Sequence, residues 1–262
     1  MNNINKTLYI PLYGKSYVSK RGIFLDDKKA EEIWEAEAFA LKGKSKSKWL
    51  AYYMGMRSAV FDDWLKAQMK KDSDAIILHI GCGMDSRVER VRTGKHLWYD
   101  VDFPEVMEAR KRYFAQSETY RMHSCDIRED GWWKEIPSGA AAVIVMEGIS
   151  MYLTPEELPR ALAQLARHFP SVHLLMDCYT EFAAKMSKYK NPVNDVGVTQ
   201  VYGMDDPAAL AERAGITYLK EVEMTPQHLI LQLPKRDQRI FRTLYASSMS
   251  KRLYRLYEFQ SK

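Results

Sequence analysis

The stretch DAIILHIGCGMDSRVERVRTGKHLWYDVDFP, residues 74–104, decides the fold of this chain. Its apolar beginning, residues 74–80, predicts a buried β-strand, and Gly81-Cys82-Gly83-Met84-Asp85 predicts a tight turn, because glycine reaches backbone conformations that other residues avoid. A short charged helix and a second strand follow. That strand ends in Asp102, about 20 residues after the turn, where an acid can accept hydrogen bonds from ribose hydroxyls. The pattern predicts the first half of a nucleotide-binding α/β unit.

The turn also indicates which nucleotide it would hold. A dinucleotide fingerprint has a third glycine that lets a pyrophosphate reach the helix N-terminus, but this chain has Ser86 at that position. Asp85 lies in the same turn and opposes a phosphate. S-adenosylmethionine fits, because it has ribose, adenine and positive charge but no phosphate. The alternatives are a nicotinamide oxidoreductase, which Ser86 disfavours, and an ordinary βα turn in an unrelated α/β protein.

Composition bounds the class of protein. The chain has 262 residues, of which 46% are apolar, so it can bury the core of one large α/β domain. A net charge of +5 does not by itself indicate nucleic-acid binding. The cysteines at 82, 125 and 178 are far apart, which argues against zinc and disulfides and fits a reducing cytosol. The N-terminus has no apolar signal core, and the longest apolar run, residues 140–146, is too short to span a bilayer. We expect a soluble, cytoplasmic protein with no metal, nucleic-acid or membrane partner.

Residues 1–73 precede the first core strand and have the apolar spacing of helices. We predict that they form a helical cap over the cofactor crevice, and that residues 74–262 form the core. Ser47 is the predicted N-cap of a long helix over residues 48–71. Arg57 lies close to the apolar stripe of this helix, and burying an unpaired charge is costly. We expect it to pair with an acid or face a ligand carboxylate; the alternative is a surface arginine.

Two further acids follow predicted core strands. Asp126 comes just after a short third strand over residues 120–124, where it can meet the exocyclic amine of an adenine. Glu147 ends an apolar strand over residues 141–146, and a carboxylate at the carboxyl end of a buried strand points into the ligand crevice of an open α/β sheet.

The last third of the chain has weaker patterns. Residues 185–203 contain Asn, Pro, Gly and Tyr without clear periodicity, and we interpret them as a substrate-loop insertion. A helix is predicted over residues 237–250. Strands over residues 216–222 and 253–259 are predicted to pair antiparallel.

Several stretches of the sequence resemble one family. Four of them are Gly81-Cys82-Gly83-Met84-Asp85-Ser86-Arg87, Tyr99-Asp100-Val101-Asp102-Phe103-Pro104, Cys125-Asp126-Ile127-Arg128 and Glu147-Gly148-Ile149-Ser150-Met151-Tyr152-Leu153, which resemble the leucine carboxyl methyltransferase superfamily. The opening, residues 6–15, is similar to the bacterial polyketide-synthesis branch of this superfamily, which is typified by the tetracenomycin O-methyltransferase. The resemblance implies a class I, Rossmann-like methyltransferase fold with a seven-stranded, mostly parallel sheet and an N-terminal helical cap. It also implies S-adenosylmethionine as methyl donor, S-adenosylhomocysteine as product, and a small molecule with a carboxylate or hydroxyl as acceptor.

The resemblance also implies roles for individual residues. Glycines of the turn would line the methionine moiety, Asp102 would hold the ribose, and Glu147 would face the methionine end. Asp126 and Ile127 would meet the adenine. Basic residues that reach the cofactor carboxylate or the acceptor fall at Lys15 and Arg57, and the family often has alanine where this chain has Cys82. The predicted cofactor-binding set is Lys15, Arg57, Gly81, Cys82, Gly83, Asp85, Asp102, Phe103, Asp126, Ile127 and Glu147.

The acceptor is predicted from the bases that the chain offers. A carboxylate is ionised at neutral pH and needs no general base, whereas a phenol, with a pKa of about 10, needs one. His79 and His173 lie within predicted strands and neither is a convincing base, so the sequence favours a carboxylate of a polyketide-like small molecule. The candidate catalytic residues, which would position this acceptor, are Arg57, Tyr152 and Tyr179. The alternatives are a phenolic or enolic hydroxyl methyltransferase of secondary metabolism and a non-catalytic, regulatory nucleotide-binding protein.

Overall fold

The computed structural model describes residues 7–41, 43–92, 94–187 and 200–261. The helices are α1 (Tyr9–Ser19), α2 (Lys28–Glu37), α3 (Lys48–Lys71), α4 (Arg87–Val91), α5 (Pro104–Arg110), α6 (Glu157–His168), α7 (Glu181–Met186), α8 (Pro207–Ala214), α9 (Gln227–Ile230) and α10 (Lys235–Tyr245). The strands are β1 (Ile76–Ile80), β2 (Trp98–Asp102), β3 (Tyr120–Ser124), β4 (Ala142–Met146), β5 (Val172–Tyr179), β6 (Thr217–Val222) and β7 (Tyr254–Gln260). Short 3₁₀ turns occur at Gly43–Lys46, Ser150–Tyr152 and Ser250–Arg252.

The strands form a seven-stranded sheet in the order β3-β2-β1-β4-β5-β7-β6. β1 to β5 pair in parallel, and β7 lies antiparallel to both of its neighbours, β5 and β6. The strand order reverses between β1 and β4, which is where open α/β sheets bind ligands at the carboxyl ends of their strands. The predicted mostly parallel α/β sheet is confirmed, as is the antiparallel pairing of its last two strands.

The two faces of the sheet are covered by different helices. Along β1, Ile76, Leu78 and Ile80 share a core with α6 and α8, while Ile77 shares a second core with α1 and α3. This alternation follows from the two-residue period of a strand. Helices α1 to α3 therefore bury their apolar faces on one side of the sheet. The division into a cap over residues 1–73 and a core over residues 74–262 stays a prediction.

Side-chain caps start two helices, and the first of them, at Ser47, is the one that the sequence predicts. Ser47 Oγ accepts a hydrogen bond from the Trp49 amide at 3.3 Å and caps α3. Thr154 and Glu157 exchange hydrogen bonds of 2.8 and 3.1 Å, the reciprocal capping box that precedes α6.

Local turns end two helices. Helix α5 ends at Arg110, because tighter turns follow it: the Tyr113 amide donates to the Arg110 carbonyl at 2.8 Å. The helix predicted over residues 237–250 is Lys235–Tyr245. Beyond it, Ser247 Oγ accepts from the Ser250 amide at 3.3 Å, a local turn that competes with helix.

Part of the predicted substrate loop cannot be placed, because residues 188–199 of it lie outside the described part of the chain. In the ranges that are described, no helix is both long and apolar enough to cross a membrane.

Candidate active site

A cavity of about 730 Å³ opens at the carboxyl ends of the parallel strands, beside the point where the strand order reverses. It has the size of pockets that hold cofactors and small molecules. Every residue that the sequence singles out as a site residue lines it: Lys15, Arg57, Gly81, Cys82, Gly83, Asp85, Asp102, Phe103, Asp126, Ile127, Glu147, Tyr152 and Tyr179. The structure brings the predicted set together in one place, and the role of each member stays a prediction.

The glycine turn after β1 depends on a backbone that other residues avoid. Gly81 and Gly83 have φ of +69° and +52°. A Cβ at Gly81 would lie 2.0 Å from Ile149 Cγ2, far inside van der Waals contact. Between the glycines, Cys82 is buried, and burial raises the pKa of its thiol well above the usual value. The turn is held close to the loop that follows β4, and that loop forms another wall of the cavity.

Asp102 ends β2 and faces the cavity. Its carboxylate accepts hydrogen bonds from the amides of Gly83 and Phe103 at 2.7 and 2.8 Å. Burial raises the pKa of Asp102 to about 6, although these two hydrogen bonds oppose the shift. Each oxygen of the carboxylate accepts one of these hydrogen bonds and has a second lone pair, which can accept a hydrogen bond from a hydroxyl group of a ligand.

Asp126 follows β3 and belongs to the same rim. Both of its oxygens accept hydrogen bonds from the Arg128 guanidinium, and one also accepts from the Arg128 amide at 2.9 Å. Burial opposes ionisation, but the hydrogen bonds from Arg128 lower the pKa of Asp126. Arg128 Cζ lies 5.7 Å from the centre of the Phe103 ring, which places a cation–π pair beside the predicted adenine region.

Glu147, after β4, is the centre of a buried ion-pair network. Arg57 Nε donates to Glu147 Oε1 at 3.0 Å, and Arg87 Nη2 donates to Oε2. Burial alone would raise the pKa of Glu147, but Arg57 and Arg87 hold it at about 2. We name the set joined by these contacts the Glu147 network; its members are Lys15, Asp27, Arg57, Asp62, Asp85, Arg87, Arg90, Glu147 and Asp177.

Asp85 belongs to the Glu147 network and is surrounded by cations of the protein. Lys15 Nζ lies 3.3 Å from Asp85 Oδ2, Arg90 Nη1 lies 2.9 Å from Oδ1, and Arg87 Nη2 lies 3.4 Å from Oδ2. Burial opposes ionisation, but these cations lower the pKa of Asp85 well below its usual value. The sequence argument used Asp85 only as a group that opposes phosphate; it did not predict these partners.

Arg57 satisfies the first expectation that the sequence raised, pairing with an acid, while contact with a ligand carboxylate stays a prediction. It pairs with acids, since Nη1 also lies 3.0 Å from Asp177 Oδ2, and it lines the cavity. Nη1 further donates to Tyr254 Oη at 2.8 Å. Within the described ranges, the hydrogen bonds of Arg57 use Nε and Nη1 and leave Nη2 without a protein acceptor. The side chain is only 5% exposed, so this nitrogen is a nearly buried donor at the cavity wall.

Aromatic and apolar side chains line the cavity around Arg57. The Tyr179 ring meets the Tyr254 ring edge-on at 5.0 Å, and burial raises the pKa of both hydroxyls. Tyr152 is partly buried, and desolvation raises its pKa as well. The remaining apolar lining comes from α3, α7 and the segment around α10, and includes Leu50, Tyr53, Met54, Phe182, Met186, Leu244, Tyr245, Met249 and Leu253.

Sequence reasoning missed three residues of this site. Asp177 is fully buried at the end of β5 and had the same signal as Glu147, an acid that ends an apolar strand. Arg87 lies in the motif after the glycine turn, but nothing local indicates that it reaches Glu147. Tyr254 had no signal, because its position depends on the antiparallel register that pairs it with Tyr179.

His79 is buried, as predicted, and its ring is fixed by its neighbours. Its Nε2 lies 3.0 Å from Arg87 Nη1, which can only donate, so Nε2 accepts. Its Nδ1 lies 3.2 Å from Asp100 Oδ1 and therefore carries the proton of the neutral ring. Burial lowers the pKa of His79. With Nε2 occupied by Arg87, this histidine has no free nitrogen to take a proton from a ligand.

The family comparison identifies a relation over more than half of the chain. A family model described as leucine carboxyl methyltransferase matches residues 8–166. Among curated proteins, the tetracenomycin polyketide synthesis O-methyltransferase TcmP of Streptomyces glaucescens is 28% identical over 170 residues, covering 64% of this chain and 63% of the relative. The S-adenosyl-L-methionine-dependent methyltransferase dpfgK of Gibberella zeae is 25% identical over 182 residues, covering 64% and 61%. The chain thus matches less than two thirds of the length of these relatives.

Solved structures share the fold at low identity. Magnesium protoporphyrin IX methyltransferase (ChlM) of Synechocystis PCC 6803, solved with bound S-adenosylhomocysteine, is 12% identical with a TM-score of 0.52, covering 95% of this chain and 98% of its own. An S-adenosylmethionine-dependent methyltransferase of Mesorhizobium loti is 11% identical with a TM-score of 0.56, covering 78% and 99%. These similarities show that the sheet and its helices have the class I methyltransferase fold predicted from the sequence.

Proposed function

The chain belongs to the leucine carboxyl methyltransferase family, and from this premise we propose that it is an S-adenosylmethionine-dependent O-methyltransferase that methylates a carboxylate of an apolar small molecule. The single observation that carries the proposal is the composition of one cavity. The cavity is lined by the glycine turn and Asp102 and also by the guanidinium of Arg57, which has tyrosines around it.

The groups around the glycine turn suit S-adenosylmethionine. Asp102 offers carboxylate oxygens to ribose hydroxyls, and Asp126 and Ile127 would contact the adenine. Glu147 lies at the carboxyl end of β4, next to the turn, where the methionine moiety would be held. When bound, S-adenosylmethionine supplies an electrophilic methyl group on a sulfonium, and S-adenosylhomocysteine is the product.

The charges of the Glu147 network support a cofactor of net positive charge. Within the described residues, the network holds one more carboxylate than it holds cations. S-adenosylmethionine carries a sulfonium, an ammonium and a carboxylate, so it brings one net positive charge to this site. A dinucleotide would instead bring negative phosphates next to Asp85 and Glu147, and like charges in a buried site are costly.

Arg57 supports a carboxylate as the acceptor group. Its Nη2 donates to no acceptor among the described residues, and the side chain lines the cavity, so this nitrogen is available to a ligand. A carboxylate from the ligand would satisfy it with a charge-assisted hydrogen bond. The surrounding tyrosines and methionines would bury an apolar acceptor body.

The protein's own part in the proposed reaction is alignment and exclusion of water. A carboxylate acceptor is ionised at neutral pH, so no residue needs to remove a proton. Tyr152 and Tyr179 would pack against the acceptor, and Arg57 would orient its carboxylate. Holding the reacting groups in a dry, fixed geometry can supply much of the acceleration.

Calorimetry tests the cofactor assignment. We expect S-adenosylmethionine to bind in about the micromolar range and NAD not to bind. An Asp102→Asn variant should lose affinity. The matched control is Asp74→Asn, which alters an exposed acid just before β1, at the opposite end of the sheet. Failure of the wild type to bind S-adenosylmethionine would refute the proposal.

A methyl-transfer assay tests the assignment of the acceptor. The protein is incubated with S-adenosylmethionine carrying a labelled methyl group and a panel of aromatic and aliphatic carboxylic acids. We expect labelled methyl esters together with S-adenosylhomocysteine, identified by mass spectrometry. Tight cofactor binding without transfer to any acceptor would instead favour the non-catalytic alternative.

A further inference from the structure

The cavity contains a phenol–carboxylate pair that methylation of a carboxylate does not require. Tyr254 Oη donates to Asp177 Oδ2 at 2.6 Å. Tyr254 lines the cavity, whereas Asp177 lies behind it and is fully buried. We propose that Tyr254 and Asp177 form a proton acceptor, so that the same site also methylates phenolic or enolic hydroxyl groups. This inference rests on the proposed function, because it uses the same methyl donor and the same cavity.

The hydrogen bonds define the direction in which a proton would move. The acceptor hydroxyl passes its proton to Tyr254 Oη while the phenolic proton of Tyr254 passes to Asp177 Oδ2, so the tyrosine stays neutral. The acceptor oxygen forms a bond to the methyl carbon, the carbon–sulfur bond breaks, and its electron pair stays on sulfur. Tyr254 is the catalytic residue of this step, and Asp177 acts through it.

Asp177 differs from its neighbour Glu147 in the way its charge is balanced. Glu147 has an arginine on each oxygen, Arg57 and Arg87. Asp177 shares Arg57 with Glu147, and its other partners, the Gly148 amide and the Tyr254 hydroxyl, are neutral. Two carboxylates that share one cation cannot be equally stabilised, so the less paired of them takes up a proton more readily.

The titration of these groups follows the same order. Burial raises the pKa of Asp177, and the charge of Glu147 adds to the shift while Arg57 opposes it. The pKa of Glu147 is about 2, so this residue stays ionised. Four neighbouring side chains also feel the charge of Asp177. Their pKa values are raised, so they stay neutral; they are Tyr53, Tyr152, Cys178 and Tyr179. Of the two carboxylates that share Arg57, Asp177 is thus the one that accepts a proton more readily.

Arg57 would assist the hydroxyl acceptor as well. Its Nη1 donates to Tyr254 Oη, so Tyr254 accepts one hydrogen bond and donates another. A positive charge beside an ionising hydroxyl lowers its pKa. The same guanidinium that would orient a carboxylate would thus stabilise a developing phenolate.

Matched acceptors test the proposal. Naphthoic acid and naphthol share a skeleton and differ in the reacting group, and their turnover is compared in the wild type and in Tyr254→Phe. We expect the ratio of naphthol to naphthoic acid turnover to fall about 100-fold or more in the variant, the usual contribution of a general base. An electron-poor naphthol that is already ionised should lose far less. Tyr218→Phe is the control, because it removes a tyrosine hydroxyl from β6 outside the cavity and should leave the ratio unchanged.

A measurement without turnover separates chemistry from structure. The absorbance of naphthol bound together with S-adenosylhomocysteine is titrated with pH. We expect bound naphthol to ionise about one pH unit or more below free naphthol in the wild type, and this shift to shrink in Tyr254→Phe, which removes the hydroxyl that contacts the naphthol oxygen. Thermal unfolding and S-adenosylhomocysteine affinity establish that each variant is folded.

The outcomes distinguish this inference from the proposed function. If the wild type methylates acids but no hydroxyl at any pH, the inference is overturned and the proposed function stands. If hydroxyls are methylated and the ratio is unchanged in Tyr254→Phe, the inference is again overturned. If S-adenosylmethionine binds and neither class of acceptor is methylated, the proposed function itself fails, and the inference fails with it.

Discussion

Replacing Gly81 with alanine should be one of the most damaging single-methyl changes in this protein. Two separate costs can be read from the structure. First, φ at Gly81 is +69°, a left-handed conformation that costs an L-residue about 1–2 kcal/mol. Second, the new Cβ would lie 2.0 Å from Ile149 Cγ2, so one of them must move by about 1.5 Å to reach ordinary carbon–carbon contact.

The second cost can be isolated with a matched glycine. Gly215, after α8, has φ of +66°, and a Cβ there would meet nothing within 4 Å. Gly215→Ala therefore incurs only the conformational cost, about 1–2 kcal/mol. Overpacking adds about 1–3 kcal/mol, so Gly81→Ala should cost about 2–5 kcal/mol in total. Because Ile149 is half-buried, it can retreat in part, which places the expectation in the lower half of that range.

Urea unfolding of both variants measures the difference. A double variant, Gly81→Ala with Ile149→Ala, removes the clashing Cγ2 and should recover about 0.5–3 kcal/mol relative to additivity. Affinity for S-adenosylmethionine should fall in Gly81→Ala and remain unchanged in Gly215→Ala, because only Gly81 lines the cavity. Equal destabilisation of the two single variants, with no coupling to Ile149, would refute the claim that the close approach of these two loops shapes the turn.

Three further predictions concern charge. The pKa of Asp102 is about 6, so the carboxylate gains a proton as pH falls through that value. Affinity for S-adenosylmethionine should therefore fall between about pH 7 and pH 5. Calorimetry should find no such pH dependence in Asp102→Asn. Arg57→Met leaves Glu147 and Asp177 without their shared cation, so urea unfolding should show a loss of about 3–5 kcal/mol of unfolding free energy. The control is Lys20→Met, which breaks an exposed ion pair and should cost less than about 1 kcal/mol. The pKa of Glu147 is lowered to about 2, so the ionised side chain contributes its full stability above the unfolded pKa near 4.5 and loses it as pH falls towards 2. Glu147→Gln should therefore be less stable than the wild type at neutral pH. The thermal unfolding temperature of this variant should also change less between pH 4.5 and pH 2 than that of the wild type.

Four residues of the site could be predicted because they end strands or follow them. Gly81, Asp102, Asp126 and Glu147 come directly after β1 to β4 or end them, and parallel strands place their carboxyl ends at one edge of a sheet. Recognising four short apolar runs is therefore enough to bring these residues together. No knowledge of helix packing or of side-chain direction is required.

The contacts of Arg57 and Tyr254 with Asp177 depend on packing that no local pattern encodes. Arg57 meets Asp177 across 120 positions of sequence, and this contact requires α3 to cross the ends of β4 and β5 at one particular rotation. Tyr254 reaches Asp177 only because β7 inserts antiparallel between β5 and β6 in the register Tyr179 to Tyr254. A shift of one residue would turn Tyr254 to the other face of the sheet. No local pattern in the sequence therefore indicates that Tyr254 and Asp177 lie together.

The Glu147 network also bears on how the chain is divided. Its carboxylates at the edge of the sheet are Asp85, Glu147 and Asp177, and two of the cations that balance them, Lys15 and Arg57, come from α1 and α3. A buried carboxylate without its cation is strongly unfavourable, so the strand ends that would hold the cofactor cannot be buried unless the N-terminal helices are in place. Those helices in turn share an apolar core with the sheet. Helices α1 and α3 therefore act as the electrostatic complement of the sheet edge.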